Sequence, residues 1–395
     1  MNRTASAAIL LILWLPLSAC QANCLWSRYD LERVNRRIHG QVVDHTDNHG
    51  ADRRIWSTAL HEKRGLYVYL PPGFDPQAQY PVMLWLHGFA QDERSFLEYV
   101  VDDLDAAMVA GKLPAMIVVA PDGSLTRNPF RISAGSFFLN TRVGAFEDFV
   151  IVDVWKFVVD NYPIRPEREA HVLAGVSMGG GAAYNLAIKH RDRFKVVLGI
   201  FPPLNNRWLD CHCRYMSPFD PNCWSWRTDF SNPYEVVGRF YGIITIRMKD
   251  VLDGLYTGGP ETAAQVSWDN PIEMIDRLCL QEGELCMYVA YGGRDQFNIT
   301  AQVESFVFRT IQRGLNMTVA YDPRGKHDFA TAQKFFPSAT EWLAPLLAPY
   351  SPSSTAAESA ASGGRQPPDH AMSPDRATNQ GADAPRSPRR AQQAW

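Results

Sequence analysis

Apolar and polar side chains alternate from Ile38 to Val43 and again from Arg54 to Leu60, which predicts two strands. Between them Asp44-His45-Thr46-Asp47-Asn48-His49-Gly50 has the polar, turn-forming residues of a hairpin loop. His45 and His49 stand at a metal-ligand spacing for a helix, but the Asp, Asn and Gly beside them predict a loop. Leu66 to Leu70 predicts a third strand, stopped by Pro71-Pro72-Gly73. The periodicity then changes to strands alternating with helices. The continuous apolar runs Val82 to Leu86, Met116 to Ala120, His171 to Ala174, Lys195 to Phe201, Leu285 to Tyr291 and Met317 to Tyr321 read as strands buried on both faces. Helical spacing appears at Phe96 to Met108, at Phe146 to Val158, after Gly181, at Ile299 to Ile311 and at Phe329 to Leu347. This alternation predicts an α/β domain over residues 40–350: a mostly parallel central sheet with antiparallel N-terminal strands and helices on both faces.

Two stretches break the pattern. Residues 202–275 interrupt the alternation with Trp208, Trp224, Trp226, Trp268 and three cysteines, and they follow a strand at the sheet edge where open α/β folds bind ligands. This insert reads as a cap or substrate-binding element, or else as peripheral decoration. Beyond Tyr350, residues 351–395 are rich in Ser, Pro, Ala, Gly and Arg, too poor in large apolar side chains to offset the entropy of ordering, and are expected to be disordered.

The first residues suggest export. Arg3 precedes the apolar stretch Ala7 to Leu17, too short to span a bilayer and suited to a signal segment. Leu17-Ser18-Ala19-Cys20 resembles a bacterial lipobox, which implies removal of residues 1–19 and lipidation of Cys20. Residues 20–39 then read as a tether. Gln21 after the cysteine resembles the signal for outer-membrane sorting. Cleavage after Ala22, giving a periplasmic or secreted protein, is the alternative.

Composition adds limits. The chain has 395 residues, 46% hydrophobic and 21% charged, with a net charge of −3, so nothing favours nucleic acid as a partner. The 11 tryptophans suit loop and core packing, or an aromatic-lined cleft. Apart from Cys20, six cysteines remain (Cys24, Cys211, Cys213, Cys223, Cys279, Cys286), an even number that suits disulfides in an exported protein and allows fifteen pairings. Cys279 and Cys286 stand close enough in sequence to close a short loop. Cys211-His212-Cys213 with Cys223 could instead hold zinc, but C-x-C is not the common ligand spacing, and no metal or organic cofactor is expected.

The chemistry centres on Gly175-Val176-Ser177-Met178-Gly179-Gly180, lying between a strand and a small-residue helix. A serine between glycines at such a turn is the pattern of a nucleophile elbow. A serine hydroxyl needs a base to take its proton, and the base needs an acid to hold its tautomer. Asp295 follows one later strand and His327 the last one, in the chain order serine, acid, histidine. Asp322 and Asp328 are alternative acids. His190 reads as a helix C-terminal charge and His87 as a loop-shaping residue. An oxyanion hole requires backbone N–H donors. Met178 would supply one and Phe89 the other, with Gly88 as the alternative to Phe89. Asn140 and Trp268 are candidate substrate-binding residues.

Together with Tyr67-Val68-Tyr69-Leu70-Pro71-Pro72-Gly73, Leu86-His87-Gly88, Pro121-Asp122-Gly123, Ser136-Phe137-Phe138-Leu139-Asn140, Gly293 to Asn298 and Lys326-His327-Asp328, these motifs resemble the esterase family of α/β-hydrolases. That family includes esterase D, feruloyl and acetyl-xylan esterases, enterochelin esterases and mycolyltransferases. The resemblance covers about residues 40–201 and 280–348 and does not reach the insert. It implies an α/β-hydrolase fold, a triad of Ser177, Asp295 and His327, and hydrolysis of a small or polymer-linked ester through an acyl-enzyme. Acyl transfer on the same triad, or a lipid-anchored binding module with an inactive hydrolase fold, are the other readings.

Overall fold

A computed structural model describes residues 31–125, 135–240, 244–252, 254–256 and 259–352. The signal segment, Cys20 and Cys24, and the expected disordered tail beyond residue 352 lie outside these residues. The segment expected as a tether contains helix α1 (Leu31–Arg37), whose Val34 is buried in the core. Asn35 ties it to the sheet by exchanging two hydrogen bonds with the backbone of Val42.

Eight strands form the central sheet: β1 (Gln41–His45), β2 (Leu66–Leu70), β3 (Val82–Leu86), β4 (Ile117–Pro121), β5 (His171–Val176), β6 (Val196–Ile200), β7 (Cys286–Gly292) and β8 (Thr318–Asp322). Their order is β1-β2-β4-β3-β5-β6-β7-β8. The pairs β1/β2 and β2/β4 are antiparallel, and all the others are parallel. β2, β4 and β6 are buried at every position, which is why they read as unbroken apolar runs rather than as alternation.

The first hairpin expected from the sequence does not form. β1 pairs with β2 across the intervening loop. The strand expected at Arg54 to Leu60 shortens to Ile55–Ser57 and joins a small ribbon with Glu62–Arg64. The physical reason is the lack of an apolar face there: Trp56 is exposed, whereas Val42 in β1 is buried. The helix expected at Phe96 to Met108 is divided at Val100, whose φ is −126°, into α2 (Arg94–Tyr99) and α3 (Val101–Val109). Residues 146–161 form α4, with a π-helical stretch at Phe149–Val154. Then come α5 (Met178–Lys189), α6 (Pro271–Arg277), α7 (Ile299–Gln312) and α8 (Phe329–Leu347).

The insert between β6 and α6 is a collection of short pieces. Trp208–Asp210 pairs with Trp224–Trp226, and Val236–Phe240 with Ile244–Arg247. The disulfide Cys211–Cys223 clasps the first pair. Trp208 is fully buried and donates its indole N–H to Tyr215 O at 3.0 Å, while Trp224 and Trp226 pack edge to face at 4.8 Å. Three of the insert's tryptophans are therefore packing residues. Cys279 and Cys286 do not join: Cys286 begins β7, paired with Val196, and both thiols are free. Among the described residues, no helix is long and apolar enough to cross a membrane.

Candidate active site

Three strand ends and the loops that follow them converge on Ser177. The chain leaves β5 and enters α5 through this one residue, whose φ of 54° and ψ of −120° are sterically unfavourable for a non-glycine residue. The strain is held by close backbone packing. A Cβ on Gly179 would lie 2.0 Å from Leu86 O, and one on Gly175 would lie 2.5 Å from the backbone of Gly179, so only glycine allows β3, β5 and α5 to meet here. Ser177 N–H donates to Ile200 O at 2.7 Å, fixing the turn to β6.

His327 Nε2 lies 2.8 Å from Ser177 Oγ, and its Nδ1 lies 2.7 Å from Asp295 Oδ2. An ionised Asp only accepts, so Nδ1 carries the proton and Nε2 is left to accept from the serine hydroxyl. The Asp295 side chain is fully buried, and its other oxygen accepts from Phe297 N–H at 2.8 Å and Ile299 N–H at 3.3 Å. His327 is further held by its own N–H, which donates to Gln296 Oε1 at 2.7 Å, and by the rings of Phe201 and Phe297, each 4.9 Å from the imidazole. The alternative acids are engaged elsewhere. Asp328 caps α8 by accepting from Thr331 N–H, and Asp322 pairs with Lys334. Gln296, Phe201 and Phe297 had no role in the sequence reading. Gln296 and Phe297 follow Asp295 directly, so their sequence position was the available signal.

The loop after β3 faces the elbow. Gly88 N–H is committed to Gln91 Oε1 at 2.8 Å, which leaves Phe89 of the two donors expected from this loop. Met178 is the first residue of α5, where a backbone N–H has no intrahelical acceptor. His87 is buried. Its Nδ1 lies 2.9 Å from Gly88 O and its Nε2 accepts from Gly123 N–H, and burial pushes its pKa down, so it remains neutral and braces the loop. His190 pairs with Glu147 near the end of α5, and His212 is exposed beside the disulfide. Cys211, His212 and Cys223 do cluster, but the sulfurs of both cysteines are joined to each other and are not thiolate ligands.

A cavity of about 650 Å³ opens around Ser177 and His327, bounded by Phe89 and Met178 and roofed by the insert through Phe230, Val237, Ile246 and Leu255. Tyr215 joins this roof to the acid loop by donating its hydroxyl to Phe297 O at 2.7 Å, and the Asn298 side-chain amide donates to Ser217 O at 2.9 Å. Asn140 and Trp268 are not brought to this cavity. They line a separate recess with Lys189 and Arg277. Asn140 is held by Asp148 at 2.9 Å, and Trp268 is exposed with the Arg277 guanidinium 4.8 Å from its ring. Asn140 lies before the insert, on the loop leading into α4, and the place of Trp268 along the insert does not tell which way the insert folds.

The sequence profile of the family described as "Putative esterase" matches residues 57–346. An S-formylglutathione hydrolase of Arabidopsis thaliana is 25% identical over 158 residues, covering 36% of this chain and 53% of that protein. An esterase of Mycobacterium tuberculosis is 27% identical over 248 residues, 60% of this chain and 45% of its own length. The chain thus spans about half the length of these curated relatives. Among solved structures, a ferulic acid esterase superposes with a TM-score of 0.56 at 18% identity, covering 78% of this chain and 99% of that one. An S-formylglutathione hydrolase from Agrobacterium tumefaciens gives 0.54 at 16% identity, covering 78% and 96%. At these identities the structures speak for an α/β-hydrolase fold.

Proposed function

Because the chain belongs to this esterase family, we propose that it is a serine carboxylesterase acting through an acyl-enzyme on Ser177. The observation that carries the reading is the unbroken line of hydrogen bonds from Ser177 Oγ through His327 to the buried Asp295. In the first half-reaction Ser177 Oγ attacks the ester carbonyl carbon as His327 Nε2 takes its proton. The carbonyl oxygen becomes an oxyanion held by the N–H groups of Phe89 and Met178. His327 then gives the proton to the leaving alcohol oxygen as the carbon–oxygen bond breaks. In the second half-reaction water attacks the acyl-serine, His327 takes and returns the proton, and the acid leaves. Asp295 stays ionised throughout and stabilises the imidazolium that forms twice in the cycle.

Ser177→Ala tests this reading. It is expected to lower kcat/KM for p-nitrophenyl acetate by at least ~10³-fold with an unchanged melting temperature. Retained activity in that variant would sink the proposal. We further propose export with lipidation on Cys20, a reading that rests on Arg3, the apolar stretch Ala7 to Leu17 and Leu17-Ser18-Ala19-Cys20. The mass of the mature N-terminal peptide tests it, and an unmodified Cys20 in membrane-purified protein contradicts it.

A further inference from the structure

The cavity at Ser177 does not end beneath the insert. A second limb runs along one face of the sheet between α3 and α8. Its floor is a register row across the three central strands, with Ala174 of β5 opposite Trp85 of β3 on one side and Leu198 of β6 on the other. Trp85 shows why the limb exists. It sits in the middle of the sheet, between residues that are fully buried, yet it is itself partly exposed, because α3 and α8 leave the face above it uncovered. The α8 wall presents Phe329, Phe336 and Leu343, spaced by whole heptads on one stripe, with the small residues Ala332 and Ala339 between them. At the rim the Gln333 side chain bonds to Asp103 of α3, bridging the two helices over an apolar interior.

The dimensions select the occupant. From Phe329 to Leu343 the stripe extends about 21 Å at a rise of ~1.5 Å per residue. One acyl chain in a bilayer leaflet spans roughly half of the ~30 Å hydrocarbon core. A short acetyl group would leave most of such a limb empty, and a sugar would leave its hydroxyls without partners against Trp85, Leu198 and Leu343. Building on the serine esterase reading above, we propose that the limb between α3 and α8 holds a long unbranched hydrocarbon chain carried by the ester substrate, as its acyl or its alcohol part. The limb is continuous with the space around Ser177, so a chain lying in it can be covalently attached to the reacting carbonyl.

Two ester series separate the two sources. In p-nitrophenyl alkanoates the acyl chain lengthens from two carbons to twelve. In alkyl acetates the alcohol chain lengthens over the same range. A rise in kcat/KM of roughly two- to fourfold per methylene is expected in one series while the chain is being buried, and that series identifies which part of the ester enters the limb. Ala339→Phe, and separately Ala332→Phe, should plug the limb and cut the ratio of ten-carbon to two-carbon kcat/KM in that series by at least tenfold, with folding checked by thermal melting. Acetate hydrolysis without any rise in either series, or an unchanged ratio in both folded variants, overturns the chain limb and leaves the esterase reading standing. The reverse failure is distinguishable through Ser177→Ala. Calorimetric binding of decanoate and dodecanoate, or of decanol and dodecanol, tightening with chain length, supports the limb even if every ester proved inert, and no binding of either pair by the folded variant overturns it.

Discussion

The wall of the cleft built by β3, β5 and β6 and the wall built by residues 202–275 are held together by different means. The first rests on a continuous backbone ladder whose side chains are almost all buried, and its close contacts are backbone on backbone, as at Gly179 and Leu86. The second is a set of short ribbons with a small core of Val237, Ile246 and Met248. It is fastened by one disulfide, by the Arg227–Glu235 and Arg207–Glu273 pairs, and by the Tyr215 hydroxyl. The contrast matches a division of labour. Proton transfer and oxyanion binding need positions fixed to fractions of an ångström, which a sheet edge supplies. The part of substrate choice made beside the triad needs only a shaped apolar roof, which loops can supply and vary.

If that division holds, damage to the first wall should strike kcat and damage to the second should strike KM. The largest effect is expected from Asp295→Asn. The amide would turn a donor toward His327 Nδ1, favour the wrong tautomer and lower kcat by ~10³- to 10⁴-fold. Steady-state kinetics beside a melting curve check this, and a KM-only effect would break the comparison. Next comes Cys211→Ser. Opening a loop with a sequence separation of 12 should cost the insert up to ~3 kcal/mol. It should increase hydrogen exchange across residues 208–226 and raise KM for bulky esters, with kcat for p-nitrophenyl acetate changed less than threefold. A matching fall in kcat would show that the roof also positions the triad.

The smallest effect on turnover, read instead in stability, concerns Glu93 at the start of α2. Glu93 is buried near Asp122 and Asp92, and burial first, then those two charges, push its carboxyl up to about 8. A raised carboxyl binds its proton more tightly in the folded state than in the unfolded one. Stability from this group is therefore complete below the ordinary value of 4.5 and is lost as pH rises from there to about 8. Glu93→Gln removes the loss, so the melting temperature of the wild type relative to the variant should fall between pH 5 and pH 8.5. Parallel curves would contradict it.

The same contrast explains what could be read from the chain. The turn at Ser177 was legible because a strand, a glycine-flanked turn and a helix are local, and local sequence dictates them. Asp295 and His327 were legible because each follows its own strand in a sheet whose parallel order brings strand ends together. The partner of β1 was not legible, since alternation marks a strand without naming its neighbour, and exposed Trp56 only disqualifies the hairpin once the sheet exists. The Cys211–Cys223 pairing was one of fifteen possibilities. That Asn140 and Trp268 line a recess apart from the cleft, and that a limb opens between α3 and α8, was not legible, because both depend on how far elements distant in sequence stand apart.

The central claim is that Ser177 is an activated nucleophile. The direct measurement is the mass of the protein after exposure to an alkyl fluorophosphonate, followed by peptide mapping of the adduct. A single phosphonyl group on Ser177, absent from Ser177→Ala, is the predicted result. An unmodified Ser177 in folded protein, or an adduct carried only by another residue, would contradict the account.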